Sequence, residues 1–279
     1  VPLNEIATAG GIMFGVALTF GVILAIANRK LKVYEDPRID DVEGMLPGSN
    51  CGACGQPGCR AFAEQVVIGK QQPSGCTVSS PDGIAAIASY LGVEAGERDK
   101  RVARLHCAGG KSSVRRLADY EGLPSCRAAF VVNGGGRACS WGCLGLADCE
   151  RACTFDAISM NREELPVVEV DKCTACGDCV EACPLDLFTI QPLSQEIVVQ
   201  CNSPVTGSPA TAACAVACDA CGRCALDAPK DAIVMKGGLP VIQDPARCDV
   251  TCTLRCPTGA IQQVQGDQFQ PKRRLKVAS

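Results

Sequence analysis

The hydropathy pattern opens on a single uninterrupted apolar run. From Ile6 to Ile26, IATAGGIMFGVALTFGVILAI, 21 residues pass without a charge. At 1.5 Å per helical residue they span about 31 Å, close to the thickness of a hydrocarbon core. One membrane-spanning helix is therefore predicted within residues 1–30. A cleaved leader carries its basic residues ahead of the apolar run, whereas here Glu5 precedes it and Arg29, Lys30 and Lys32 follow. The segment reads as an anchor, and its basic flank puts the rest of the chain on the cytoplasmic side of the inner (cytoplasmic) membrane, with a single pass. Gly11 and Gly15 form a G-x-x-x-G step, with Gly21 further along, a pattern that lets a second helix pack closely.

After the anchor the pattern breaks into short pieces. Residues 33–47 carry Glu35, Asp36, Asp40, Asp41 and Glu43 with two prolines, and read as a solvated connector or short helix. RAFAEQVVIG, ending at Gly69, is a short amphipathic helix, and Ser80-Pro-Asp starts another over 82–91. Apolar stretches at 155–160, 166–170 and 185–190 suit paired strands, and 129–132 also looks strand-like, with Gly134-Gly-Gly after it as a turn. The fold class is α+β: a transmembrane helix, a small helical domain and tandem modules of short strands.

Composition shows what must hold such pieces together. The 279 residues include 22 cysteines but only 7 Phe, 3 Tyr and 1 Trp, and glycine and proline gather around the cysteines. A large apolar core is not available, so the body must be pinned by its thiols. Lys+Arg is 27 against Asp+Glu 30, for a net charge of -3 without a long basic stripe, which argues against nucleic acid as a partner. A reducing cytoplasm favours thiolate ligands over disulfides.

The spacings then select the chemistry. Cys173-x2-Cys176-x2-Cys179-x3-Cys183-Pro is the bacterial iron–sulfur run, whose fourth cysteine ligates the neighbouring cluster. Its exchange partner is Cys139-x3-Cys143-x5-Cys149-x3-Cys153. The exchange rule assigns one [4Fe-4S] cluster to Cys139, Cys143, Cys149 and Cys183, and another to Cys173, Cys176, Cys179 and Cys153. Upstream, Cys51-x2-Cys54-x4-Cys59 with Cys76 forms a further set, and Gly52, Gly55 and Gly58 let backbone N–H groups point at anionic sulfur. That set suits a cluster; a structural zinc is its alternative.

A second repeat starts at Cys218-x2-Cys221-x2-Cys224, but Ala228 stands where a closing cysteine belongs, and Cys248, Cys252 and Cys256 follow at x3 intervals. Asp156-Ala-Ile, Asp231-Ala-Ile and Gly259-Ala-Ile mark the repeat. It supplies one full set, Cys218, Cys221, Cys224 and Cys256, for at least four [4Fe-4S] clusters in all. Cys201, Cys214, Cys248 and Cys252 leave two readings open, a fifth cluster or buried thiols, and Cys107 and Cys126 are unassigned. There is no P-loop and no strand-borne G-x-G-x-x-G. His106, the one histidine, excludes a Rieske centre and reads as a surface or packing residue.

The anchor, the Cys51–Cys76 unit, the Cys139–Cys153 unit with its C-L-G-L-A-D-C core and the run ending at Cys183-Pro together resemble the B-subunit family of Rnf electron-transport complexes over nearly the whole chain. The resemblance implies reduced ferredoxin as donor, onward transfer to a flavin-bearing, NAD-reducing C subunit, membrane-subunit partners and coupling to Na+ or H+ movement. It implies no nicotinamide site on this chain. A ferredoxin-type relay subunit of another membrane oxidoreductase or hydrogenase is the alternative. The expected divisions are an anchor at 1–30, a linker and 4Fe-4S domain at 31–95, a connecting segment at 96–135, a two-cluster ferredoxin-like module at 136–195, a degenerate second module at 196–265 and a basic tail at 266–279. Two basic groups, Arg98, Lys100, Arg101 and Arg104, and the tail's Lys272, Arg273, Arg274 and Lys276, are candidate docking points for an acidic donor, with a solvated surface as the alternative for both.

Overall fold

The computed structural model describes residues 3–31, 35–97 and 99–269. Helix α1 (Leu3–Leu31) contains the apolar run, and its stretch Gly10–Lys30, mean hydropathy 2.2, is long and apolar enough to cross a membrane. Ile12, Phe14, Phe20 and Leu24 are exposed, as a helix facing lipid requires. Thr19 donates its hydroxyl to Gly15 O at 2.7 Å, so this polar group is satisfied within the helix. Lys32 lies outside the described residues.

Helices α2 (Arg38–Met45), α3 (Cys59–Val67) and α4 (Pro81–Leu91) form the small helical domain. The segment read as a solvated connector or short helix is a helix with one face in the core. Ile39, Val42 and Leu46 recur at helical spacing and pack on Phe62, Val66 and Ile87. The acidic side of α2 holds Arg60 on α3 through Asp40 at 2.8 Å and Glu43 at 2.9 Å. Helix α4 starts where expected, with Ser80 Oγ accepting from Gly83 N–H and Pro81 in the first turn, and it stops at Gly92 with φ +67.

The remaining chain builds two modules of matching design. The first comprises β1 (Arg101–Leu105), α5 (Cys126–Val131), α6 (Asp148–Ala152), β2 (Ile158–Met160), β3 (Pro166–Val168), α7 (Asp178–Ala182) and β4 (Phe188–Pro192). The second comprises β5 (Ile197–Val199), α8 (Gly207–Ala213), α9 (Arg223–Asp227), β6 (Ile233–Lys236), β7 (Leu239–Ile242), α10 (Thr251–Leu254) and β8 (Ile261–Gln263). In each, the outer strands pair antiparallel, Leu105 with Phe188 and Val199 with Ile261, and the inner strands form a hairpin, β2 with β3 and β6 with β7.

Two expectations are corrected by this pairing. Strand β1 opens the first module from inside the stretch read as a connector at 96–135, because its partner is β4. The strand-like run 129–132 belongs largely to helix α5. The Asp148 carboxylate accepts from Arg127 N–H and Ser125 Oγ and so caps the helix start, while Cys126 and Ala129 bury one face against Leu144. The glycine turn after it is real. Gly136, at φ +73, approaches Ala118 so closely that an added Cβ would lie 2.2 Å from its carbonyl oxygen.

The repeat seen in the sequence has a conformational cause. Asp156, Asp231 and Gly259 all adopt positive φ, at 48°, 63° and 70°, and turn the next residue inward. Ala157, Ala232 and Ala260 are then buried, and Ile158, Ile233 and Ile261 begin strands β2, β6 and β8. Asp186, Leu187 and Phe188 make the same turn before β4.

Candidate iron–sulfur centres

In the helical domain, Cys51, Cys54, Cys59 and Cys76 line one pocket with Leu46 and Phe62. Gly52 and Gly55 hold positive φ, 71° and 80°, which wraps the C-x2-C loop around that space. Asn50 Oδ1 accepts from Cys59 N–H at 2.7 Å and fixes where α3 begins. A Cβ on Gly58 would sit 2.9 Å from that oxygen, so the loop requires glycine there. Ser79 Oγ donates to Cys76 Sγ at 3.2 Å.

The 173–183 run folds as its spacing predicts. Ala175 and Gly177 take positive φ, 60° and 98°, and α7 carries Cys179. Cys153, Cys173, Cys176 and Cys179 line one pocket. The exchange of the fourth cysteine also appears in the geometry, since Cys183 stands with Cys143 and Cys149 around a second pocket. Two matching backbone donors face the exchanged sulfurs: Ala157 N–H to Cys153 at 3.3 Å and Leu187 N–H to Cys183 at 3.5 Å.

The expected membership of that second set changes by one residue. Cys126, carried in on α5, completes it, and Cys139 does not line it. Cys139 is held away because Ala138 N–H bonds to Arg115 O at 2.9 Å and Arg137 bridges to Arg116, tying this strand to the 113–116 segment. Cys139 instead lines a pocket with Cys107, Cys143, Cys201 and Cys214. The expected quartet Cys201, Cys214, Cys248 and Cys252 is likewise divided. Cys201 and Cys214 face this cavity, whereas Cys248 and Cys252 touch each other within an apolar cluster containing Ile197, Ile233 and Ile261.

In the second module, Ala220 and Gly222 repeat the loop of the first, at φ 63° and 71°. Cys218 lies close enough to Cys224 and Cys256, and Cys224 to Cys221, that each negative charge would oppose the next. Burial dominates the chemistry of five of these thiols. It pushes Cys107 and Cys218 up to about 11 and Cys149 and Cys179 up to about 12, and it raises Cys143 further. Thiols so placed stay protonated in a bare protein, so a bound metal must displace their protons.

Among the described residues, no three Cys, His, Asp or Glu side chains converge tightly enough for one metal ion. A tetrahedral zinc with bonds near 2.3 Å needs sulfurs about 3.8 Å apart. Soft sulfur donors gathered in fours, with backbone N–H groups aimed at sulfur, fit a multi-iron cluster instead.

Folding removes one member of the first basic group. Arg104 is wholly buried and donates to Gly266 O at 2.7 Å. Arg101 donates to Ile190 O, Lys100 stands 3.7 Å from Asp171, and Arg98 and residues 272–276 lie outside the described residues. His106 packs as expected, with Nδ1–H donating to Val199 O and Nε2 accepting from Thr189 Oγ1, both at 2.7 Å; burial lowers its pKa.

The Fe-S cluster family model matches residues 46–78, and the 4Fe-4S binding domain model matches 164–185. Over 93% of its length the chain is 41% identical to the B subunit of the Na+-translocating ferredoxin:NAD+ oxidoreductase complex of Acetobacterium woodii, covering 78% of that protein. The chain belongs to the B-subunit family of ion-translocating oxidoreductase complexes. Two further B subunits, from the ion-translocating complex of Methanosarcina acetivorans and the proton-translocating ferredoxin:NAD+ complex of Clostridium ljungdahlii, are each 37% identical. Those matches cover 94% and 96% of this chain and 98% and 96% of the relatives, so the family likeness spans anchor, helical domain and both modules. As an iron–sulfur electron carrier, the chain places its cysteines in the geometry described, and Cys107 and Cys126 are the two that spacing alone leaves unassigned.

Proposed function

We propose that this chain is the electron-carrying subunit of an ion-translocating ferredoxin:NAD+ oxidoreductase complex and that it holds [4Fe-4S] clusters on four cysteine quartets. The quartets are Cys51, Cys54, Cys59 and Cys76; Cys153, Cys173, Cys176 and Cys179; Cys126, Cys143, Cys149 and Cys183; and Cys218, Cys221, Cys224 and Cys256. The observation that carries this reading is that each of the first three quartets lines a pocket of its own with all four thiols. When bound, a [4Fe-4S] cluster stores and releases one electron. The protein's part is to hold the sulfurs, aim backbone N–H groups at them and keep water away with Phe62, Leu187, Phe188 and Ile158.

In this reading the modules receive electrons from reduced ferredoxin, and the helical domain, joined by a short segment to the anchor, faces the flavin-bearing C subunit and the membrane subunits. Arg29 and Lys30, in the last turn of α1, support a cytoplasmic side for the cluster domains. The test uses membrane vesicles carrying the whole complex with Cys76→Ala in this chain. Ferredoxin-driven NAD+ reduction should fall by at least 100-fold, while the module centres still fill on reduction, as read by electron paramagnetic resonance. Unchanged NAD+ reduction would overturn the route. Protease should cut the cluster domains from sealed inside-out vesicles, and protection there would reverse the topology.

A further inference from the structure

The cavity holding Cys139 has an internal symmetry that local sequence spacing does not reveal. Strand β1 ends at Leu105 and β5 at Val199, and two residues beyond each stands a cysteine, Cys107 and Cys201. The intervening residues continue the ladders in the same way, His106 N–H to Leu187 O at 2.7 Å and Gln200 N–H to Ala260 O at 2.6 Å. Each module then makes an excursion and returns through a C-x3-C step, Cys139 to Cys143 and Cys214 to Cys218.

The two excursions are stitched together. Ala108 N–H donates to Gln200 O at 2.9 Å, Arg115 N–H to Ala213 O at 3.0 Å and Ala215 N–H to Ser113 O at 2.9 Å. With Ala138 bonded to Arg115, the 113–116 segment lies between the strands that deliver Cys139 and Cys214. Like the other three pockets, this one is lined by at least four thiols. Glycine keeps it open. A Cβ on Gly142 would lie 3.4 Å from Cys139 Sγ and 3.5 Å from Cys107 Sγ, and one on Gly109 would lie 3.1 Å from Cys214 Sγ and 3.5 Å from Cys107 Sγ. Cys107 Sγ already accepts from Gly109 N–H at 3.4 Å and Cys143 N–H at 3.2 Å, the donors a cluster-bound thiolate uses.

We propose that Cys107, Cys139, Cys201 and Cys214 ligate one more [4Fe-4S] cluster, a bridging site supplied half by each module. The inference rests on the reading that the other quartets hold clusters, and it adds an order to them. Cys179 adjoins Cys149, linking the two quartets of the first module. Cys143 turns its peptide N–H to Cys107 while its side chain serves the quartet of Cys126, Cys149 and Cys183. Cys201 in turn lies near Cys218 of the second module. The bridging site thereby places the quartets of both modules in one series and gives the second module a neighbour in place of the one lost at Ala228.

The test is iron content and reduced-state electron paramagnetic resonance of the full-length chain purified without oxygen. Five quartets should bind about 20 iron atoms, and Cys201→Ala and Cys214→Ala, made separately, should each lose about 4 and erase the same centre. Both variants should keep the wild-type circular dichroism. A wild-type count near 16, or variants that keep their full iron, would overturn the bridging site while leaving the other quartets standing. A chain with zinc and no iron would overturn the underlying reading instead. Should either variant fail to fold, the wild-type count decides, together with Gly109→Ala, which should perturb the Cys214 centre alone.

Discussion

In the first module α7 hands the chain to Cys183, whose sulfur crosses to the Cys143 and Cys149 set; in the second, α9 hands it to Ala228, and nothing crosses. Yet Gly177 and Gly222, Ala175 and Ala220, and Asp156 and Asp231 keep the same left-handed conformations in both. Ligands and backbone have therefore parted company. In the second module, Cys248 and Cys252 sit against Ile197, Val199, Ile233 and Ile261 as small apolar side chains. Their loop, from 248 to 256, contains no residue at positive φ, so it lacks the turn that wraps a ligand loop around a cavity. The lesson is that the left-handed turns and the buried alanines specify the module, while the cysteines decide how much of it depends on iron.

The largest effect expected from this contrast is on folding. Helices of five residues and two-stranded ladders do not stand alone in water. Removing iron with a chelator should abolish most amide-exchange protection in the first module, and the β6–β7 hairpin should be the last to open because its apolar cluster remains. Equal loss across both modules would break the comparison. Next, Cys126→Ala and Cys183→Ala should erase the same paramagnetic centre, and Cys139→Ala should spare it. Coincident loss from Cys139→Ala and Cys183→Ala would restore the assignment that spacing alone suggests.

Those two residues show where local sequence stopped being informative. The run from Cys173 to Cys183 and its exchange with Cys153 are legible because both lie in one repeated unit. Cys126 was obscured because the apolar string after it looks like a strand until Asp148, 21 residues beyond Arg127, caps it as a helix. The grouping of Cys139 with Cys201 and Cys214 depends on hydrogen bonds between segments about 100 residues apart, which no spacing encodes. Arg104 was read as surface charge because its neighbours are charged; in the fold it occupies the position equivalent to the buried Val198.

Smaller effects sharpen the same comparison. The double variant Cys248→Ala, Cys252→Ala should keep all its iron and lose about 1–3 kcal/mol of stability from the emptied apolar volume, measured by denaturant unfolding of the loaded chain. Ala228→Cys should gain no iron, since the 248–256 loop lacks the required turn. The most subtle expectation concerns Arg104, whose Nε and Nη2 have no hydrogen-bond partner among the described residues and whose charge is felt by Cys173. Arg104→Leu should move the midpoint potential of the Cys153, Cys173, Cys176 and Cys179 centre to a more negative value, because a nearby positive charge favours the reduced, more negative state. Redox titration should find the Cys218 centre unmoved.

The central claim is that these cysteine quartets hold iron and inorganic sulfide. Metal and acid-labile sulfide analysis of the full-length chain, purified without oxygen, tests it most directly. Iron and sulfide in about equal amounts, near 20 atoms of each per chain, are predicted for five [4Fe-4S] sites; zinc at about one atom per quartet, without sulfide, would contradict it.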